Sequence, residues 1–174
     1  MEIIKPNEKY LQSYLEGCQQ TWETVHEKYI IHDPEKFDDW KTHIFQDFEN
    51  AEKGINLPEG FIPNATYWIV EDNKYAGTIN IRLGLNEALA RYGGHIGIVI
   101  RPDCRRKGYG MKGFEFAVEE CKKLGINPIL VATQETNKVI INWFENIYKP
   151  NKSEREEIIH NGAPLGIRRY YFSY

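Results

Sequence analysis

A β-branched and apolar run, Gly94-His95-Ile96-Gly97-Ile98-Val99-Ile100, gives way at Arg101-Pro102 to three consecutive cations and a glycine pair, Arg105-Arg106-Lys107-Gly108-Tyr109-Gly110. Beyond them Met111, Phe114, Val118 and Cys121 recur at helical spacing as far as Leu124. The pattern is a buried strand that delivers a cationic, glycine-bearing loop to the N-terminus of an amphipathic helix. At such a terminus the unpaired backbone N–H groups and the positive end of the helix dipole favour an anion. Glycine lets the backbone approach a ligand with no side chain in the way. Arg105, Arg106 and Lys107 add charge where phosphate oxygens would lie. The loop therefore suits a pyrophosphate; the bland alternative is a turn with a solvated basic run.

Two phosphate motifs compete for these residues. Gly108-x-Gly110-x-x-Gly113 formally satisfies the dinucleotide fingerprint, but that fingerprint belongs in a tight strand-to-helix turn early in a repeated strand–helix sheet. Here Pro102 to Lys107 intervene, and only about sixty residues follow Gly113, too few for the remaining nucleotide-binding units. The Walker A pattern fails because no Gly-Lys-Ser/Thr follows.

Arg105-x-x-Gly108-x-Gly110 resembles the Q/R-x-x-G-x-G/A signature of the GNAT superfamily of acyl-CoA N-acyltransferases. Ile100-Arg101-Pro102-Asp103 is similar to the family's approach to that loop. Ile129-Leu130-Val131-Ala132 matches its next strand, and Asn137 the Asn that often opens the following helix. Tyr67-Trp68, Asn80-Ile81-Arg82-Leu83, Leu85-Asn86 and Gly93 to Gly97 look like a bacterial subfamily of predicted acetyltransferases. The likeness covers roughly residues 60 to 145. It implies an α/β (α+β) fold, with a mixed, mostly antiparallel sheet and helices on both faces, and one N-acetyltransferase (GNAT) domain over residues 1–174. It also implies acetyl-CoA as cosubstrate, with the loop Arg105 to Gly110 around the pyrophosphate and the pantetheine arm against strand backbone at Ile98, Val99 and Ile100.

The pattern along the chain leads to the same element order. Glu2 to Lys5 reads as a short strand, and Tyr10 to Lys28 as a helix carrying Leu11, Tyr14, Leu15 and Cys18. Asp33 is an N-cap and Pro34 a first-turn residue of a second helix, with Phe37, Trp40, Ile44 and Phe48 as its apolar stripe. Tyr67 to Glu71 and Tyr75 to Leu83 form a hairpin, and Asn86 to Arg91 a helical turn or a structured loop. A strand from Asn127 to Thr133, a helix from Asn137 to Ile147 and two closing strands, Glu154 to His160 and Ile167 to Ser173, complete the chain.

With 174 residues and a formal net charge of −3, the composition argues against nucleic acid as the main partner. No apolar run approaches the roughly 18 residues a membrane span needs, and the N-terminus has no signal-peptide profile, so a cytoplasmic protein is expected. Cys18, Cys104 and Cys121 lack metal-ligand spacing and read as reduced thiols, and no metal is expected. Cys104 lies among cations that could lower its pKa, though a bystander is the preferred reading. The early acidic run from Asp33 to Glu52 is either a solvated helix face, the preferred reading, or a field that draws in a cationic amine.

The resemblance implies direct acyl transfer to an amine of a small molecule or peptide, with a homodimer left open as the assembly. Many relatives carry Glu near the start of the fourth strand, where this chain has His95, so His95 is either the general base or a structural histidine. With side chains alternating, it shares a face with Val99 and Arg101. Relatives often place a Tyr proton donor seven residues after the Asn; here that residue is Phe144, and Tyr148 either substitutes or packs the helix end. Trp22, His26, His43, Tyr67, Trp68, Arg82 and Tyr92 are candidates to line the acceptor pocket. The other readings are an acyl-CoA-binding sensor that has lost turnover and a nucleotide-binding regulator.

Overall fold

The computed structural model describes residues 1–22, 24, 31–160 and 162–174. Two sheets form the frame. In the first, β1 (Glu2–Ile4), β2 (Asn64–Glu71), β3 (Lys74–Arg82) and β4 (Ile96–Ile100) pair in that order, each antiparallel to its neighbour. In the second, β7 (Ala163–Phe172) lies between β5 (Ile129–Gln134) and β6 (Lys152–His160), again antiparallel. The expected α/β architecture with antiparallel pairing is what the chain adopts, although its strands form two sheets and every pairing within them is antiparallel.

The hairpin β2–β3 turns over Asp72-Asn73, whose φ values of 50° and 60° give the mirror-image two-residue turn that matches strand twist. Strand β3 is buried on both faces, because helices cover both sides. Helix α1 (Leu11–Thr21) covers one face, together with α2 (Phe37–Trp40) and α3 (Ile44–Lys53). There Tyr14, Cys18, Trp40 and Ile44 pack on Trp68, Val70, Tyr75 and Val99. Helix α4 (Tyr109–Lys123) covers the other, where Phe114, Ala117 and Cys121 meet Ile69, Ile79, Ile81 and Ile96. None of the described helices is long and apolar enough to cross a membrane.

Three expectations shift in detail. Helix α1 ends at Thr21, and residues Val25 to Lys28 lie outside those described. The second helix begins as a tight turn at Pro34–Lys36 under the Asp33 cap and breaks at Lys41–His43, giving α2 and α3. Just before the break, Trp40 donates from Nε1 to the Asp33 carbonyl at 2.8 Å and buries its ring. The final helix is α5 (Lys138–Asn142) continued by a π-helical turn, Trp143–Tyr148. A second π-helical turn, Leu89–Gly93, fills the β3–β4 connection where a helical turn is expected.

The acidic run is a solvated face. Asp47 faces His43, Glu49 faces Lys53 and Glu52 faces Lys5 in exposed pairs, and Asp38 pairs with Lys41. Such pairs contribute little individually.

Candidate active site

Among the described residues, backbone pairing joins the two sheets at a narrow junction. Gly94 bridges to Val131 with φ +69°, and a Cβ at Gly94 would lie 2.6 Å from the Leu130 carbonyl oxygen, so only glycine lets the backbones approach this closely. Arg82 holds the turn from below, donating from Nη1 to the carbonyls of Gly93 and Gly94 at 3.0 and 2.9 Å. Beyond the junction β4 and β5 form no further ladder, and a cleft of about 190 Å³ opens between them. Gly97, Ile98 and Ile100 line its β4 side, with Ala132 and Thr133 opposite. Two strands that part leave backbone N–H and C=O groups without ladder partners, which an extended polar chain can take.

The cleft runs to the cationic loop. After a tight turn at Pro102–Cys104 the chain reverses through left-handed Arg106 (φ 65°) and Gly108 (φ 83°), the residue that caps α4. A Cβ built at Gly108 meets nothing within 4 Å, so the space over this backbone is open. The amides of Arg106, Lys107 and Gly108 find no acceptor among the described residues, and the first-turn amides of α4 have no intrahelical partner. Arg105 is anchored, donating from Nε to the Ile100 carbonyl at 3.1 Å and from Nη2 to Thr24 Oγ1 at 3.4 Å. Arg106 and Lys107 stay exposed. The Glu71 carboxylate beside the Tyr109 phenol pushes its pKa up to about 12. Burial raises the Cys104 thiol, aided by Asp103, in contrast to the lowering its cationic neighbours suggest.

Side chains on β4 alternate as expected. Ile98 and Ile100 line the cleft, whereas Val99 packs in the opposite core and can offer only its backbone. Arg101 turns to α1, where Nε donates to Gln20 Oε1 at 3.0 Å. Asn137 lines the cleft and caps α5, accepting from Ile140 N at 3.4 Å. Ile140 and Trp143 complete the wall. Their place on the apolar stripe of the last helix was the available signal, but it reads equally well as core.

The expected base and acid do not fit this geometry. His95 N donates to the Leu130 carbonyl at 2.7 Å, and Leu130 N donates back to His95 Nδ1 at 2.9 Å. An Nδ1 that accepts a hydrogen bond places the neutral ring's proton on Nε2, so no lone pair is left to take another. Burial lowers the pKa of the ring, consistent with a neutral imidazole locked into the junction. Tyr148 donates to Glu115 Oε1 at 3.1 Å and packs on Phe114, directed at α4 and absent from the cleft lining. Burial first, then Glu115, pushes its pKa to about 12. Phe144 lies in the cleft wall, buried against Tyr170 and Phe114.

The acceptor candidates separate widely. Trp68 is fully buried, stacked on Tyr14 at 4.5 Å, and Tyr67 bonds to Glu120 of α4. His43 is an exposed partner of Asp47, Trp22 packs at the edge of the first core, and His26 lies outside the described residues. Arg82 and Tyr92 do meet, in a second cavity of about 280 Å³ that also takes in Phe61, Asn64, Asn80 and Asn86.

The sequence model of the Acetyltransferase (GNAT) family matches residues 20–147, and the chain belongs to that family. A search of curated proteins finds no match to the sequence. Among solved structures it is similar in fold to a probable acetyltransferase, with TM-score 0.68 and 15% identity over 98% of this chain and 91% of that one. It is similar to the ribosomal-protein-alanine N-acetyltransferase of Brucella melitensis, with TM-score 0.65 and 12% identity over all of both chains. The PaiA N-acetyltransferase of Thermoplasma acidophilum, in complex with coenzyme A, gives TM-score 0.56 and 14% identity over 99% and 98%.

Proposed function

We propose that this chain transfers an acetyl group from acetyl-CoA to a primary amine of a small molecule or peptide, directly and with no covalent enzyme intermediate. The observation that carries the reading is the cleft between β4 and β5, which reaches Gly110 in the first turn of α4, two residues from Gly108 and the unpaired amides before it. The pyrophosphate suits those amides, with Arg106 and Lys107 supplying counter-charge. The pantetheine arm suits the unpaired backbone of β4 around Ile98 to Ile100, with Trp143 and Asn137 on the far wall. Those unpaired amides and exposed cations are what support coenzyme A as the cosubstrate.

In the transfer the neutral amine nitrogen attacks the thioester carbonyl carbon, the C–N bond forms and the C–S bond breaks, and coenzyme A leaves as thiolate. The amine's proton passes to water, and water returns one to the thiolate, because His95 and Tyr148 are committed elsewhere. Catalysis then rests on positioning of the two reactants.

Thermal shift with acetyl-CoA, NAD and ATP tests the assignment, since a ligand that binds only the folded state raises its melting point. Acetyl-CoA should stabilise most, and Gly108→Trp should abolish that shift while the free protein still melts cooperatively. Retained acetyl-CoA stabilisation in Gly108→Trp, or a larger shift with NAD, overturns it. The position of Tyr148 favours one second reading, an acyl-CoA sensor, which tight acetyl-CoA binding without thiol release from a broad amine panel would establish instead.

A further inference from the structure

The second cavity lies on the opposite face of the first sheet from the donor cleft, and one row of residues joins the two. Thr66 on β2 pairs with Asn80 on β3, and Asn80 pairs with Gly97 on β4, so the three positions lie side by side on the face that carries Trp68 and Val99. Asn80 lines the second cavity and Gly97 lines the donor cleft. Adjacent strands are about 4.8 Å apart, and Gly97 adds no side chain between the two spaces.

The chemistry of the cavity is specific. Asn80 is 8% exposed and its amide nitrogen is engaged, donating to Asn64 Oδ1 at 2.6 Å and Thr66 Oγ1 at 3.2 Å. Its carbonyl oxygen Oδ1 accepts from no described residue and is open to the cavity, which leaves an accessible acceptor there without a donor. The hydrogen bonds of Asn64 to Asn80 and the Ile62 carbonyl fix the Asn80 amide with Oδ1 as the remaining group. Phe61 and Tyr92 both bring flat rings to the same cavity, and Phe61 is 53% exposed, an apolar surface of the kind normally covered by a partner or ligand. The one charged group among the described lining residues is the Arg82 guanidinium, and a cation there disfavours a multiply charged cationic substrate.

The geometry points to this cavity as the amine acceptor's site, and to its substrate as a small primary amine with an aromatic or otherwise planar body and no second cationic group. This rests on the transferase reading above. Phe61 and Tyr92 take the flat body, and Asn80 Oδ1 accepts a hydrogen bond from the amine N–H, which orients the nitrogen lone pair across Gly97 toward the thioester. The bonds made and broken are those of the transfer already described.

The test uses the full chain with acetyl-CoA, read by thiol release, with phenethylamine and tyramine against spermidine and kanamycin. The planar monoamines should be acetylated with kcat/KM at least tenfold above the polycations. Ala88→Phe, which fills the cavity, and Phe61→Ala, at an exposed position, should each lower kcat/KM for the planar amines at least tenfold while the acetyl-CoA Kd stays unchanged. If Ala88→Phe does not fold, Phe61→Ala and Asn80→Ala decide the matter. Preference for the polycations, or cavity variants with unaltered amine kinetics, overturns the site while leaving the transferase reading intact. Acetyl-CoA binding without release from any amine overturns both.

Discussion

Replacing His95 in two ways separates a catalytic role from a structural one. Asn places Oδ1 close to where Nδ1 sits, so His95→Asn keeps an acceptor for Leu130 N and removes any titratable group; His95→Phe removes the acceptor altogether. Leu130 is only 4% exposed, so the orphaned amide costs about 1–3 kcal/mol. For a chain of this size each kcal/mol moves Tm by about 2–4 °C, so His95→Phe should melt roughly 2–12 °C lower. His95→Asn should melt close to the parent and turn over at a comparable rate, with the acidic limb of the pH–rate profile retained. Calorimetry and steady-state thiol release against pH measure both quantities. A kcat reduced by about 10²–10⁴-fold in His95→Asn, at unchanged Tm and with the acidic limb gone, is the signature of a lost general base and would refute the structural assignment.

Tyr148→Phe should leave kcat nearly unchanged and cost at most about 1 kcal/mol by chemical denaturation, because its hydroxyl contacts Glu115 and not the cleft; a hundredfold loss of kcat would restore it as the proton donor. His32 should make stability fall in mild acid. Burial, with His43 adding repulsion, depresses its pKa from 6.5 to about 4. Between those values the unfolded ring binds a proton that the folded ring does not, so stability is complete above about pH 6.5 and is lost on acidification toward pH 4, by at most about 3 kcal/mol. Urea denaturation across that window should show the slope in the parent and a shallower one in His32→Gln; equal slopes would contradict the assignment.

The elements that the sequence reveals are those whose signal is local. Helical spacing of Met111, Phe114, Val118 and Cys121 places α4, and strict alternation puts Val99 and Arg101 on one face of β4 and Ile98 and Ile100 on the other. The left-handed Gly108 cap of α4 is legible because glycine just before a helical repeat has a conformational meaning at short range. The remaining features depend on pairings between residues far apart in the chain. Whether His95 can take a proton is decided by Leu130, thirty-five positions away, which occupies its lone pair. Tyr148 is withdrawn by Glu115 on another helix, and Trp68 is placed in the core by stacking on Tyr14. The second cavity is assembled from three stretches, around Phe61, Asn80 and Tyr92, and the unpaired oxygen of Asn80 emerges only once Asn64 and Thr66 have taken its amide hydrogens. Periodicity along a chain determines which way a side chain faces; what that side chain meets, and which of its hydrogen-bonding groups is left over, is settled only when distant strands and helices come together.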